Sequence, residues 1–139
     1  MPGKEIKIIK LELNENLTEG YFAATALELD ALSRNQDVIH KYEDDELVHD
    51  RITSAFFVNV HFAGQYAIEH AAEINTPLLV MHGTDDRLTS PEGSKAFVSN
   101  AKDNVKLKLW NGLYHELHNE PEQEEVFSYE LEWINSLLK

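Results

Sequence analysis

The chain has 139 residues, 42% of them apolar and 27% charged, which is enough for one globular domain with a core. Its 25 acidic against 12 basic side chains give a formal net charge of −13, which argues against nucleic acid and against electrostatic docking on anionic membranes. With no cysteine, disulfides, thiolate metal sites and cysteine nucleophiles are excluded.

The opening MPGKEIKIIK lacks the apolar core of a signal peptide, and no stretch approaches the roughly 18 to 20 apolar residues of a membrane span. A cytoplasmic protein is the expectation. Residues 4–13 fit either an irregular strand or one face of a helix, with helix slightly favoured. Ala- and Leu-rich residues 21–32 predict a helix, and a short helix follows at 36–42. The acidic EDDE run reads as a solvated turn. A longer helix is expected over residues 52–74. There Phe56, Val60, Ala63, Tyr66, Ala67 and His70 recur at three- and four-residue spacing, with Gly64 as a soft spot.

Thr76-Pro77 ends that helical stretch, because the residue before proline disfavours helical geometry. LLVM then reads as a buried parallel strand running into His82-Gly83. Ser90-Pro91-Glu92 opens a helix to about residue 101, with Ser90 as N-cap. Residues 105–110, VKLKLW, alternate as a second strand and stop at Asn111-Gly112. Residues 121–138 predict a last helix with Val126, Tyr129, Leu131, Trp133, Ile134 and Leu137 on its apolar side. Residues 1–75 are thus expected to be mostly helical, and 76–139 to form strand–helix–strand–helix, the closing units of a doubly wound α/β sheet.

In such sheets functional groups gather past the carboxyl ends of the strands. Two loops occupy that place: HGTDDRLTSPEGS offers Asp85 and Asp86, and NGLYHELHNE offers His115 and His118. A loop aspartate could hold an imidazole by its Nδ1–H and stabilise the imidazolium of acyl transfer. Each residue also has a plainer reading: Asp85 caps a turn, Asp86 pairs with Arg87, His118 lies at the surface, and His82 packs or bonds locally beneath the loop. His40, His49, His61 and His70 are expected on partly exposed helix faces. His115, His118 and Asp86 could bind zinc, but HELH lacks the HExxH spacing that puts two histidines one helical turn apart.

LLVMHGTDDRLTSPEGS, KLKLWNGLYHELHNE and ALSRNQDVIHKYEDDELVHD together resemble the monoacylglycerol lipase and lysophospholipase group, also called the serine aminopeptidase group, of the α/β-hydrolases. The resemblance covers residues 17–139 and is carried mainly by 32–120. It implies an α/β class, a partial α/β-hydrolase fold in which residues 1–75 form a helical cap and 76–139 the last two strand–helix units. It also implies that Asp86, not Asp85, is the catalytic acid, that His115 is the catalytic histidine, and that no cofactor is needed.

That group uses the chain order Ser, Asp, His, with the serine in a Gly-x-Ser-x-Gly elbow. None of Ser33, Ser54, Ser90, Ser94, Ser99, Ser128 and Ser136 stands in such an elbow, and Gly93-Ser94 is only a partial echo. The resemblance therefore implies a hydrolase portion without nucleophile or oxyanion hole, inactive alone. It would meet a lipid-like ester only when completed by a nucleophile-bearing half. An uncovered strand edge predicts a homo-oligomer, a partner chain or a rebuilt edge. A non-catalytic binding or regulatory module is the alternative.

Overall fold

The computed structural model describes residues 22–24 and 27–138. The ambiguous stretch 4–13 lies outside them. Strand β1, Phe22–Ala24, pairs antiparallel with β2, Arg51–Thr53, in the register Phe22↔Thr53. A 3-10 turn at Leu29–Ala31 follows β1. The helix expected over 21–32 is therefore absent from its described part. Helix propensity is a weak preference, and here the ladder to β2 and the burial of Ala31 and Leu32 override it.

Helix α1, Gln36–Glu43, forms where the sequence places it. Its N-cap Asn35 accepts the Asp37 N–H at 3.1 Å. The acidic run after it is exposed. Helix α2, Ser54–Glu69, is shorter than the expected 52–74 at both ends. Thr53 caps its start by accepting the Phe56 N–H at 3.0 Å, so Ile52 belongs to β2. Beyond His70 the chain tightens into a 3-10 turn, Ala71–Glu73. Gly64 sits within α2 without interrupting it.

The second part runs strand–helix–strand–helix: β3 Leu78–Gly83, α3 Pro91–Asn100, β4 Val105–Trp110 and α4 Gln123–Leu137. Strands β3 and β4 are parallel, in register from Leu78↔Val105 to Gly83↔Trp110. Ser90 is the N-cap of α3, yet its side chain makes no capping bond. Gly112 takes φ +78°, the left-handed turn that closes β4 and that glycine adopts without strain.

Trp110, Leu113, Leu117 and Val126 form the core on one side of this sheet, with Met81 and Tyr129 packed against them. Strand β3 is half-buried up to its buried end at Gly83, not buried throughout as its apolar run suggests. Among the described strands only β4 flanks it. The apolar faces of α2 and α4 are likewise uncovered. Phe56, Phe57, Val60 and Tyr66 on α2 and Leu131, Ile134 and Leu137 on α4 are exposed, and Val126 alone is buried on α4.

Candidate active site

Loops from the carboxyl ends of β3 and β4 meet. Thr84 N–H donates to the Trp110 carbonyl at 2.9 Å, and Asp85 N–H to the Leu113 carbonyl at 3.1 Å. The Gly112 N–H donates to Thr84 Oγ1 at 2.8 Å. So close an approach needs glycine at the end of β3. A Cβ on Gly83 would lie 2.2 Å from the Leu113 carbonyl oxygen and 2.3 Å from that of Tyr114.

The seam brings Asp86 and His115 together: His115 Nδ1 lies 2.9 Å from Asp86 Oδ2. The Asp86 side chain is 2% exposed, whereas that of His115 is 37% exposed. A turn within the DRLT segment holds the carboxylate. Oδ1 accepts the Leu88 and Thr89 N–H groups at 2.8 and 2.9 Å, and Oδ2 accepts the Thr89 hydroxyl at 2.8 Å. A fifth group, His82 Nε2, reaches Oδ2 at 3.0 Å. Burial alone would raise the Asp86 pKa. The donors from Thr89, His115 and Leu88 outweigh it and lower the carboxyl from 3.8 to about 2, so it is ionised at neutral pH.

A carboxylate can only accept, so the Asp86 contact puts a proton on His115 Nδ1 and leaves the lone pair of the neutral ring on Nε2. That nitrogen has no hydrogen-bond partner among the described residues. An imidazole held in this tautomer can take a proton at Nε2, and the buried carboxylate stabilises the cation formed.

The other candidates are placed elsewhere. Asp85 is exposed and accepts the Thr84 hydroxyl at 2.9 Å. Arg87 turns from Asp86 towards Glu28 and Asp30 and lies over the Tyr114 ring, 5.0 Å from its centroid. His118 points to α4, where Nε2 meets Glu130 at 2.7 Å and the ring lies against Phe127. No cluster of three His, Cys, Asp or Glu side chains among the described residues is placed to hold a metal.

A clamp that the sequence did not announce fixes the His115 loop. Glu120, fully buried, accepts the Tyr114 N–H at 2.8 Å and the Arg34 Nε–H at 2.8 Å. Arg34 also pairs with Glu122. Ser33, equally buried, donates to the Asn119 carbonyl at 2.8 Å, and the Glu116 N–H donates to the Leu32 carbonyl at 2.8 Å. An LSR tripeptide and a glutamate 86 residues later carry no local periodicity that would pair them. An open depression beside His115 is lined by Met81, Glu116, Leu117 and His118.

The family model described as serine aminopeptidase, S33, matches residues 4–122. The chain belongs to this family of α/β-hydrolases. It is 40% identical over 114 residues to a monoacylglycerol lipase of Mycolicibacterium smegmatis, covering 81% of this chain and 41% of the relative. It is 30% identical over 143 residues to an uncharacterized abhydrolase domain-containing protein of Dictyostelium discoideum, covering 99% of this chain and 15% of that protein. The crystal structure of Paleococcus ferrophilus monoacylglycerol lipase superposes with a TM-score of 0.82 at 33% identity, over 87% of this chain and 48% of the lipase. This S33 chain thus spans less than half the length of these relatives. Its fold is a partial α/β-hydrolase fold, with a small parallel sheet flanked by helices. No described helix is long and apolar enough to cross a membrane.

Proposed function

We propose that this chain supplies the acid, Asp86, and the general base, His115, of a serine hydrolase acting on carboxylic esters of the monoacylglycerol or lysophospholipid kind. The 2.9 Å contact between His115 Nδ1 and Asp86 Oδ2, at the meeting of the two loops, carries this reading. A serine held at His115 Nε2 would lose its proton to the ring as it attacks the ester carbonyl, and the ring would return that proton to the departing alcohol. The sequence contains no Gly-x-Ser-x-Gly, so the serine and its oxyanion donors would come from a segment outside these residues. Residues up to 75 would then serve as the cap over the site, and the uncovered faces of β3, α2 and α4 as the surface that meets that segment or a second copy. A cytoplasmic location with access to lipid at membrane surfaces fits this role.

A chimera in which this chain replaces the matching region of the Mycolicibacterium smegmatis lipase tests the proposal. It should hydrolyse a monoacylglycerol and lose on the order of 10⁴ in kcat with His115→Ala or Asp86→Asn. A folded chimera whose turnover ignores both substitutions would overturn the reading. The chain alone should not turn over a short-chain aryl ester; turnover that His115→Ala abolishes would contradict that expectation. The second reading, a binding module without chemistry, is supported by the missing elbow together with the exposed apolar faces. A stable homodimer inert to fluorophosphonate would favour it.

A further inference from the structure

Behind Asp86 lies a second imidazole that the mechanism above does not use. His82 stands in β3, just before Gly83, with its side chain 11% exposed. Its Nε2 is 3.0 Å from Asp86 Oδ2, and its Nδ1 is 2.7 Å from Ser94 Oγ, in the first turns of α3. We infer that His82 is a positioning residue for the acid of the site, with Ser94 anchoring its other ring nitrogen.

Hydrogen-bond chemistry fixes the direction of the relay. The ionised carboxylate cannot donate, so His82 Nε2 carries the proton shared with Oδ2. In the neutral ring Nδ1 is then an acceptor, and the Ser94 hydroxyl donates to it. The relay runs Ser94 O–H to His82 Nδ1, and His82 Nε2–H to Asp86 Oδ2. Both carboxylate oxygens are held without help from His115, Oδ1 by two backbone N–H groups and Oδ2 by the Thr89 hydroxyl, with His82 Nε2 3.0 Å from Oδ2. The loop bearing His115 meets an acid whose plane is already set, which selects the Nδ1–H tautomer of His115. A serine, an imidazole and an aspartate in this order also resemble a nucleophile relay. Ser94 sits inside a helix, however, with its hydroxyl proton committed to His82.

The inference rests on the hydrolase reading for its purpose, but its test needs no turnover. Long-range proton–nitrogen NMR of the histidine rings in the whole chain at pH 7.5 should find His82 as Nε2–H and His115 as Nδ1–H. His82→Phe removes the donor while keeping a ring. It should reduce the preference of His115 for Nδ1–H by roughly three- to tenfold, the net worth of one hydrogen bond. His82→Gln, whose amide can donate to Asp86 and accept from Ser94, should restore that preference to within about twofold. Ser94→Ala, a change milder for folding, frees the far side of the His82 ring and should lower the His115 preference by about twofold while His82 stays Nε2–H.

The inference is overturned if His82 is Nδ1–H in the unaltered chain. It is also overturned if folded His82→Phe or folded Ser94→Ala leaves His115 unchanged, or if a fluorophosphonate labels Ser94. Should His82→Phe fail to fold, Ser94→Ala decides. An Nε2–H His115 in the unaltered chain would count against the hydrolase reading, whichever tautomer His82 adopts.

Discussion

Asp86 combines near-complete burial with four hydrogen-bond donors, and the donors outweigh the burial in setting its ionisation. Its folded pKa of about 2 lies below the unfolded 3.8, so its ionised form stabilises the fold above the unfolded value. That contribution fades as pH falls from about 4 through 2. The difference corresponds to roughly 2 kcal/mol. Urea unfolding of the chain and its Asp86→Asn variant should therefore differ by about that much at pH 6 and converge near pH 2. A gap that is constant with pH would deny the carboxylate this role. At Gly83 the decisive quantity is distance. A methyl group there would strike two backbone carbonyl oxygens. Gly83→Ala should cost upwards of about 2 kcal/mol and part the two loops, read as loss of the His115 Nδ1–H signal in NMR.

At the scale of elements, the 113–120 loop is placed by two anchors, the parallel seam of β3 with β4 and the clamp from residues 32–34. The clamp is the more sensitive of the two, because Glu120 is fully buried and Arg34 is its only charged partner among the described residues. Removing the guanidinium leaves a buried carboxylate held by backbone N–H alone. Arg34→Ala should destabilise the chain by about 3 kcal/mol, and Glu120→Gln by less, since the amide removes the orphaned charge. Thermal unfolding of the two variants orders them, and the reverse order would mean that Glu120 is held by something other than its ion pair. The sheet core is tested by Val126→Ala. This side chain is fully buried against Trp110 and Leu117, and its truncation should cost about 2 kcal/mol in urea unfolding.

For the molecule as a whole, surface predicts behaviour. Five aromatic or branched side chains of α2 and four of α4, from Phe56 to Tyr66 and from Phe127 to Leu137, are exposed. Beside them β3 pairs on one side only among the described strands. Uncovered apolar faces of this kind are association surfaces. Light scattering after size exclusion should give a mass above the 15.9 kDa of one chain. Glu or Lys placed at Phe57 and Ile134 should reduce that mass. A sharp monomer peak from the unaltered chain would mean that these faces are covered in another way.

Local pattern alone located α1, β3, α3, β4 and α4 within a few residues, because periodicity, proline and capping residues act over one or two turns. The same locality offered Asp85 or Asp86 and His115 or His118, each just past a strand, and the family resemblance singled out Asp86 and His115. It failed at residues 21–32, where an alanine-rich run forms a strand because a partner at Arg51–Thr53 lies opposite it. For the apolar faces of α2 and α4 it was silent, since amphipathic spacing says which side seeks cover and not whether cover is present. Only the tertiary structure decided that Asp86 faces two imidazoles, that Ser94 backs one of them, and that Ser33, Arg34 and Glu120 fasten the loop of the other. Those contacts join residues up to 86 positions apart, a distance over which sequence pattern carries no signal and packing alone sets who meets whom.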